Sequence, residues 1–460
     1  MSDPNTYTAA ERAFAHDLYA EHLEEAAFLY HQRQVSLNDP GHSWRDPRDI
    51  EIRLMAHLRA LLPGATLIDD VLTAAFQQGE PGEVFAAVAV WCGLDDHARL
   101  KEVMAAAMDD ESRQAAVEAL CRFMPRSATG WLEHTVKGRD GTQVAAAAQI
   151  IGFRRASCAV PLSADASPNQ EVAPLWKAWA LGRLGRKEAC PALRAHLAAC
   201  GEPAGSALLA LSLLRLGDAA VLTWCRNRIG TEPWPALALG LAGDASDGTL
   251  LRRIAFAQRV DPDSVLALGL LGDPVAIPQM LDLLDATSSD PVAEAASLAL
   301  YLIAGAPLFE DVGVPEPFDE DELFDDERAK LHQGGEVEGL ARHRSSFRRI
   351  SQDGNLWRAW WREHEDSFTA GRRYRCGALL QPRDLVANLA NEILPKQLRA
   401  LFYEELVIRY GAEIPFETTM YVDDQCTAIE ALRQWGEAKI KDFEPGAWYR
   451  HGNQVACDQT

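Results

Sequence analysis

The chain is poor in basic charge: 45 Lys and Arg stand against 67 Asp and Glu, a formal net charge of -22 over 460 residues. A surface of that sign repels phosphate backbones and anionic membranes, which argues against general nucleic-acid binding and lipid adsorption and leaves a basic partner or simple solubility as its use. None of the nine cysteines (92, 121, 158, 190, 200, 225, 376, 426 and 457) belongs to a Cys-x-x-Cys pair. Most sit among apolar residues at helical spacing, so they read as small hydrophobes in a reducing compartment, with no disulfide framework and no zinc site. No apolar run is long enough to cross a bilayer, and the opening Met1-Ser2-Asp3-Pro4-Asn5 lacks the basic and then apolar pattern of a signal peptide. A cytoplasmic protein is expected.

Phosphate-cradling loops are missing as well, since neither G-x-x-x-x-G-K-[ST] nor G-x-G-x-x-G before a helix occurs. Twelve histidines are present without an H-E-x-x-H, and the nearest pair, His16 and His22, is six apart and so on different helix faces. Lone Ser or Cys nucleophiles have no visible base. The expectation is a chain without catalytic residues, metal or cofactor.

What the sequence does have is a phrase written many times. Asp261-Pro262 opens the run Val265 to Leu271, which stops at Gly272-Asp273-Pro274; Asp290-Pro291 then opens Ala295 to Ile303, which stops at Gly305-Ala306-Pro307. An Asp that caps free amides, a Pro suited to the first helical position and a Gly at the end spell helix and turn. Related turns follow Trp91-Cys92-Gly93, Leu120-Cys121-Arg122, Ile151-Gly152, Leu184-Gly185, Leu216-Gly217 and Ala242-Gly243. Taking the glycine as anchor, the steps from Gly152 through 185, 217, 243, 272 and 305 are 33, 32, 26, 29 and 33 residues. One hairpin of this size cannot bury its apolar face alone, so a stack is predicted.

The flanks differ. Thr8-Ala9-Ala10-Glu11 is a capping box before a long helix ending near Val35, and Asp46-Pro47 opens a second helix stopped by Pro63-Gly64, a pair suited to cover the first face of a stack. Residues 309 to 327 are densely acidic and read as a loop or tether, followed by the basic Arg342-His343-Arg344-Ser345-Ser346-Phe347-Arg348-Arg349, against which it could fold. A last helix carries Trp357, Trp360, Trp361, His364 and Phe368 on one face. Gly371 to Gly377, with Arg372, Arg373, Tyr374 and Arg375, is expected to be extended, and helices are expected from Gln381-Pro382, from Pro395 to Tyr410 and from Asp423. An aromatic stripe at helical spacing is core more often than surface; where exposed, Trp357, Trp360 and Trp361 would anchor a protein partner, with Arg372, Arg373, Tyr374 and Arg375 as rim. The same arginines could instead pair inside the molecule.

The repeats resemble HEAT-like repeats, especially the short bacterial kind with a Leu-Gly-Asp turn. Trp357-x-x-Trp360-Trp361-x-x-His364, Phe368, Gly371, Arg373-Tyr374-x-x-Gly377 and Pro415-Phe416-x-Thr418, with Glu25-Ala26-Ala27-Phe28-Leu29 and Arg53-Leu54-x-Ala56-His57-Leu58 at the other end, are similar to a proteobacterial HEAT-like family without assigned activity. Its members are often encoded beside type VI secretion components and effectors; the acidic stretch 309 to 327 is not part of its pattern. HEAT-repeat hydroxylases bind iron through several His-Glu dipeptides, but here only His364-Glu365 has that order and it lies outside the array. The reading is an all-α solenoid of helical hairpins: a cap at 1-65, the array at 66-308, an acidic then basic insertion at 309-350 and a helical module at 351-460. The expected role is a non-catalytic scaffold, as adaptor, chaperone or immunity factor for a basic type VI secretion effector or component. An enzyme of the HEAT-like lyase or hydroxylase type is the alternative, by fold analogy alone.

Overall fold

A computed structural model describes residues 8-39, 41-162, 172-232, 234-287, 289-315, 323-332 and 344-455. Cys457, the acidic residues 316-322 and the basic Arg342-His343 lie outside the described residues. The chain is all-α in architecture, with three two-stranded ribbons among the described residues.

The opening pair is α1 (Ala9–Asn38), whose Thr8 and Glu11 form the capping box, and α2 (Pro47–Leu61), with Pro47 at its first position. The array comprises α3 (Asp69–Gln78), α4 (Pro81–Gly93), α5 (His97–Ala105), α6 (Asp110–Phe123), α7 (Thr129–Val136), α8 (Gly141–Arg154), α9 (Val172–Arg183), α10 (Cys190–Ala199), α11 (Pro203–Arg215), α12 (Ala220–Arg228), α13 (Trp234–Ala242), α14 (Ala245–Ala255), α15 (Pro262–Leu271), α16 (Ile277–Ala286) and α17 (Asp290–Ala304). Asp109, Asp140, Asp244 and Asp261 each accept backbone N–H groups at a helix start, as the repeated Asp implies. In the stack α1, α4, α6, α8, α9, α11, α13, α15 and α17 pack in succession as an inner row, and the shorter helices pack behind them.

Two kinds of glycine hold this stack together. Gly185, Gly217, Gly272 and Gly305 take positive φ at the turns, where a side chain is strained. Gly152 does not belong with them, contrary to the anchor reading: it lies inside α8, Arg155 supplies the left-handed turn at φ 51, and a methyl on Gly152 would meet Ala180 Cα at 2.9 Å. Gly182 against Ser212, Gly240 against Ala267 and Gly269 against Ala299 repeat that close approach between neighbouring inner helices. From Ala156 to Leu162 no helix forms, and α8 packs directly on α9.

After the array come β1 (Phe309–Pro315), α18 (Asp325–His332), β2 (Arg344–Ile350), α19 (Gly354–His364), β3 (Tyr374–Arg375), β4 (Ala378–Leu379), α20 (Pro382–Leu389), α21 (Lys396–Tyr410), α22 (Val422–Ala438), β5 (Tyr449–Arg450) and β6 (Asn453–Gln454). The expected acidic tether is instead a strand over its first part. Strand β1 pairs antiparallel with β2, which sets Glu310 opposite Arg349, bonded at 2.7 Å, and Asp311 opposite Arg348. Opposite charge across a ladder favours that register. The terminal module shares its core with the repeats: one apolar cluster runs from Ala178 to Tyr449, including Trp357, Phe402 and Phe416, and a second covers α1 to α9.

Gly269→Ala pushes Cβ to 2.6 Å from Ala299 Cα and is expected to cost about 1 to 3 kcal/mol in urea denaturation, the usual cost of overpacking. Gly141→Ala, with nothing within 4 Å, should shift stability by less than about 0.5 kcal/mol.

Candidate functional site

The last carbonyls of each inner helix lack intrahelical donors and carry the negative end of the helix dipole. Those ends lie side by side along one edge of the stack, and a strap formed by residues 372-421 runs along it. At α15, Arg373 donates to the carbonyls of Leu271 and Leu270, and Arg375 to those of Gly269 and Leu270, at 2.7 to 3.1 Å. At α13, Arg409 donates to Gly243 at 2.9 Å and Gly240 at 3.2 Å. At α17, the N–H groups of Cys376 and Gly377 donate to Leu302 and Ile303. The three guanidiniums converge on Glu405, which pairs with Arg375 at 2.9 Å, Arg409 at 3.2 Å and also Arg373, all with side chains at most 1% exposed.

One carboxylate does not balance three buried cations; the carbonyl ends of α13 and α15 add partial negative charge, about half a unit each. Burial alone would raise the Glu405 carboxyl, but Arg375, Arg373 and Arg409 outweigh it and hold it below the usual carboxylate range.

Further along, the cations come from the repeats and the carboxylates from the strap. Arg215, at the end of α11, donates to Glu404 at 2.6 Å; Arg183, at the end of α9, donates to Glu417 at 2.7 Å, and Arg155 joins Glu417 at 3.0 Å. Arg122 of α6 and Arg33 of α1 donate to the Thr419 carbonyl, and the Tyr421 ring lies 4.4 and 4.9 Å from their guanidiniums. Arg33 is held in turn by Glu51 and Glu118, and Glu51 accepts the Val422 N–H at 2.7 Å. Thus the terminal module reaches from α17 back to α1. At α13 and α15, which end without an arginine, the strap provides one, and at α17 it provides backbone N–H groups; at α9 and α11, which have an arginine, it answers with Glu.

This corrects four of the seven residues expected on a binding surface. Trp357, Arg373, Tyr374 and Arg375 are buried. Trp357 packs into the shared core with its indole N–H on the Ser351 carbonyl at 2.7 Å, and the two arginines bind helix ends rather than the acidic stretch. Trp360, Trp361 and Arg372 are half-buried: Trp360 stacks on His364 at 4.1 Å, Trp361 meets Phe368 at 5.2 Å, and Arg372 pairs with Glu444 at 2.8 Å. Arg358, between the tryptophans, ties α19 to Asp282 and Asp285 of α16. The stripe is the seam of α19 on the last hairpin.

Two features went unnoticed in the sequence. His22 of α1 and His57 of α2 are not neighbours in the chain, yet their Nδ1 atoms lie 3.0 Å apart. Burial and then His22 lower the affinity of His57 for a proton, with Glu25 opposing and Arg53 assisting. The other is an exposed apolar line on α1, with Phe14 71%, Leu18 40%, Phe28 54% and Val35 53% accessible. With Glu21, Glu25 and Gln32 these form a 4-3-4-3-4-3 series, one face of the helix.

Among the described residues no group of three or more His, Cys, Asp or Glu side chains gathers to hold a metal, and no helix is long and apolar enough to cross a membrane. The eight described cysteines are free thiols. No protein-family model matches the chain, and no curated protein matches it.

Glu405→Gln leaves three buried guanidiniums without a carboxylate and should cost about 3 to 5 kcal/mol in denaturant titration at pH 7. In the native chain Glu405 binds its proton less readily than the ordinary 4.5, so its contribution is complete above that pH and lost as pH falls through the folded value. The acid limb of the stability curve below pH 4.5 should therefore flatten in Glu405→Gln. His57 acts over a different range: being kept neutral when folded, it weakens folding as pH drops below 6.5, and His57→Gln should remove that slope while leaving the pH 8 value nearly unchanged.

Proposed function

We propose that this protein is a scaffold that binds another protein, acting as adaptor, chaperone or immunity factor. The observation that carries the reading is the exposed apolar face of α1, where Phe14, Leu18, Phe28 and Val35 stand at heptad spacing with Glu21 and Glu25 between them. Scattered surface apolar residues need no explanation, but a line of them along one helix is what an amphipathic partner helix packs against. Ile52 of the adjoining α2 is exposed as well, at 53%.

The carboxylates set the partner's sign. In an antiparallel pair of two α1 helices Glu25 would face Glu25 near the axis, which disfavours self-association; a partner helix with Lys or Arg flanking its apolar seam gains instead. The overall charge of -22 steers the same class of partner. The resemblance to a family encoded beside type VI secretion genes names the first place to look: a basic effector or component of that system. The terminal strap supports this reading by occupying the inner edge of the stack with the chain's own residues, which leaves the α1 end as the open face.

Tagged protein isolated from its host is expected to retain one basic protein in near-equal amount, and Phe14→Asp with Phe28→Asp should weaken that complex by at least tenfold while circular dichroism stays unchanged. Retention unaffected by the double substitution, or no basic protein in stoichiometric yield, would contradict the reading.

A further inference from the structure

The array is irregular after α8. From Ala156 to Leu162 no helix forms, and the turn that closes α8 is made by Arg155 at φ 51, where later turns of the stack use Gly185, Gly217, Gly272 and Gly305. A side chain in the left-handed region is strained and persists where its surroundings fix it. Here Glu417 of the strap does so, accepting from Arg155 Nη2 at 3.0 Å. Beside this turn lies a pocket of about 640 Å³, bounded by the end of α6, the turn Arg126–Ala128, the end of α8 and the strap.

Three arginines line the pocket, Arg126, Arg154 and Arg155, and among the described residues no Asp or Glu does. In a chain of net charge -22 that is a local inversion of sign. Arg155 is already neutralised by Glu417, but the other two pair with no carboxylate among the described residues. Arg154 is half-buried and aimed through its Nη1, which donates to the carbonyls of Cys121 at 3.0 Å and Arg122 at 3.3 Å. Its Nε and Nη2 make no hydrogen bond among the described residues, and neither is shut off from solvent. Arg126 is exposed, and its guanidinium has no partner among the described residues. Two accessible guanidiniums thus line one pocket with N–H forks unused, which suits an oxyanion that accepts from both.

Two uncompensated positive charges balance a dianion better than a monoanion, which favours a phosphate over a carboxylate or a sulfate ester. The wall is apolar at Phe153, Pro415 and Met420. We propose that this pocket binds a small phosphate monoester, its dianionic head on Arg126 and Arg154 and its organic body against Phe153, Pro415 and Met420. Its cations come from the repeats and part of its apolar wall from the strap, so the site is complete only in the closed stack. The proposal does not rest on the partner-protein reading.

Phenyl phosphate serves as the probe, titrated by calorimetry into the full chain at low ionic strength and at a pH above the second phosphate pKa of about 6. Saturable binding is expected, with phenyl sulfate, a monoanion of similar shape, and inorganic phosphate, which lacks the organic body, each about tenfold weaker. Arg154→Gln also loosens the end of α6, so Arg126→Gln carries the test: it should weaken phenyl phosphate at least tenfold with an unchanged urea midpoint. Arg59→Gln, at an exposed arginine of α2, should bind as the native chain does. No phenyl phosphate binding at millimolar concentration, equal affinity in Arg126→Gln, an equal loss in Arg59→Gln, or phenyl sulfate or inorganic phosphate binding as tightly as phenyl phosphate would each overturn the proposal.

Discussion

The structure depends on one constraint: the inner helices all end on the same edge, and their unpaired carbonyls must find donors there. Glu405 with Arg373, Arg375 and Arg409 is where that demand is met most completely, at the ends of α13 and α15. Arg409 is presented in fixed register by α21, and Arg373 and Arg375 by strand β3 and the residue before it. That explains why α21, whose position 405 is a Glu with no exposure at all, is buried on every side in its last two turns, from Phe402 to Tyr410. Buried ion pairs contribute little net stability compared with apolar contacts, since desolvation offsets attraction. Their larger effect here is on register: a one-turn slip of α21 would bring Arg409 off Gly240 and Gly243 and leave Glu405 facing backbone carbonyls.

The rest of the strap follows from that register. With Glu405 fixed, Glu404 falls on Arg215, and the turn after α21 carries Glu417 to Arg183 and Arg155 and Tyr421 between Arg33 and Arg122. A repeat array is ordinarily a chain of nearest-neighbour contacts that frays from its ends. Here residues separated by 386 positions, Arg33 and Thr419, are bonded, so the first and last hairpins share one fate. Such a closed stack presents a rigid surface at α1, which suits a binding partner that must be met without reorganisation.

Much of the fold could be read in the residues because it is written locally. Asp before Pro, Gly at the turn and apolar residues at helical spacing act within one turn of chain, and Asp261, Gly272 and Gly305 do what those rules require, whereas Asp290 is the first residue of α17 and the cap position falls on Ser289, which makes no side-chain cap. The site could not be read that way. Nothing near Arg373 says that its acceptor is Leu271, 102 residues earlier, and the tryptophan stripe of α19 has the same spacing whether it faces solvent or a neighbouring helix. A signal did exist: Arg122, Arg154, Arg183 and Arg215 each end an inner helix, whereas the helices ending at Ala242 and Leu271 have no such residue. The missing cations pointed to a donor elsewhere in the chain. Strand β1 was hidden by its own acidity, since Glu310 and Asp311 belong to a composition typical of tethers until Arg348 and Arg349 are placed opposite.

The central claim is that the strap is part of the folded array and not a detachable tail. Native-state hydrogen exchange of the amides in α21 tests it most directly, compared with those of α13 and α15. The account predicts that the amides from Phe402 to Tyr410 exchange only through the same global opening as the two repeat helices, with equal free energies and equal denaturant dependence. Exchange of α21 through a separate, lower-energy opening, while α13 and α15 stay protected, would contradict it.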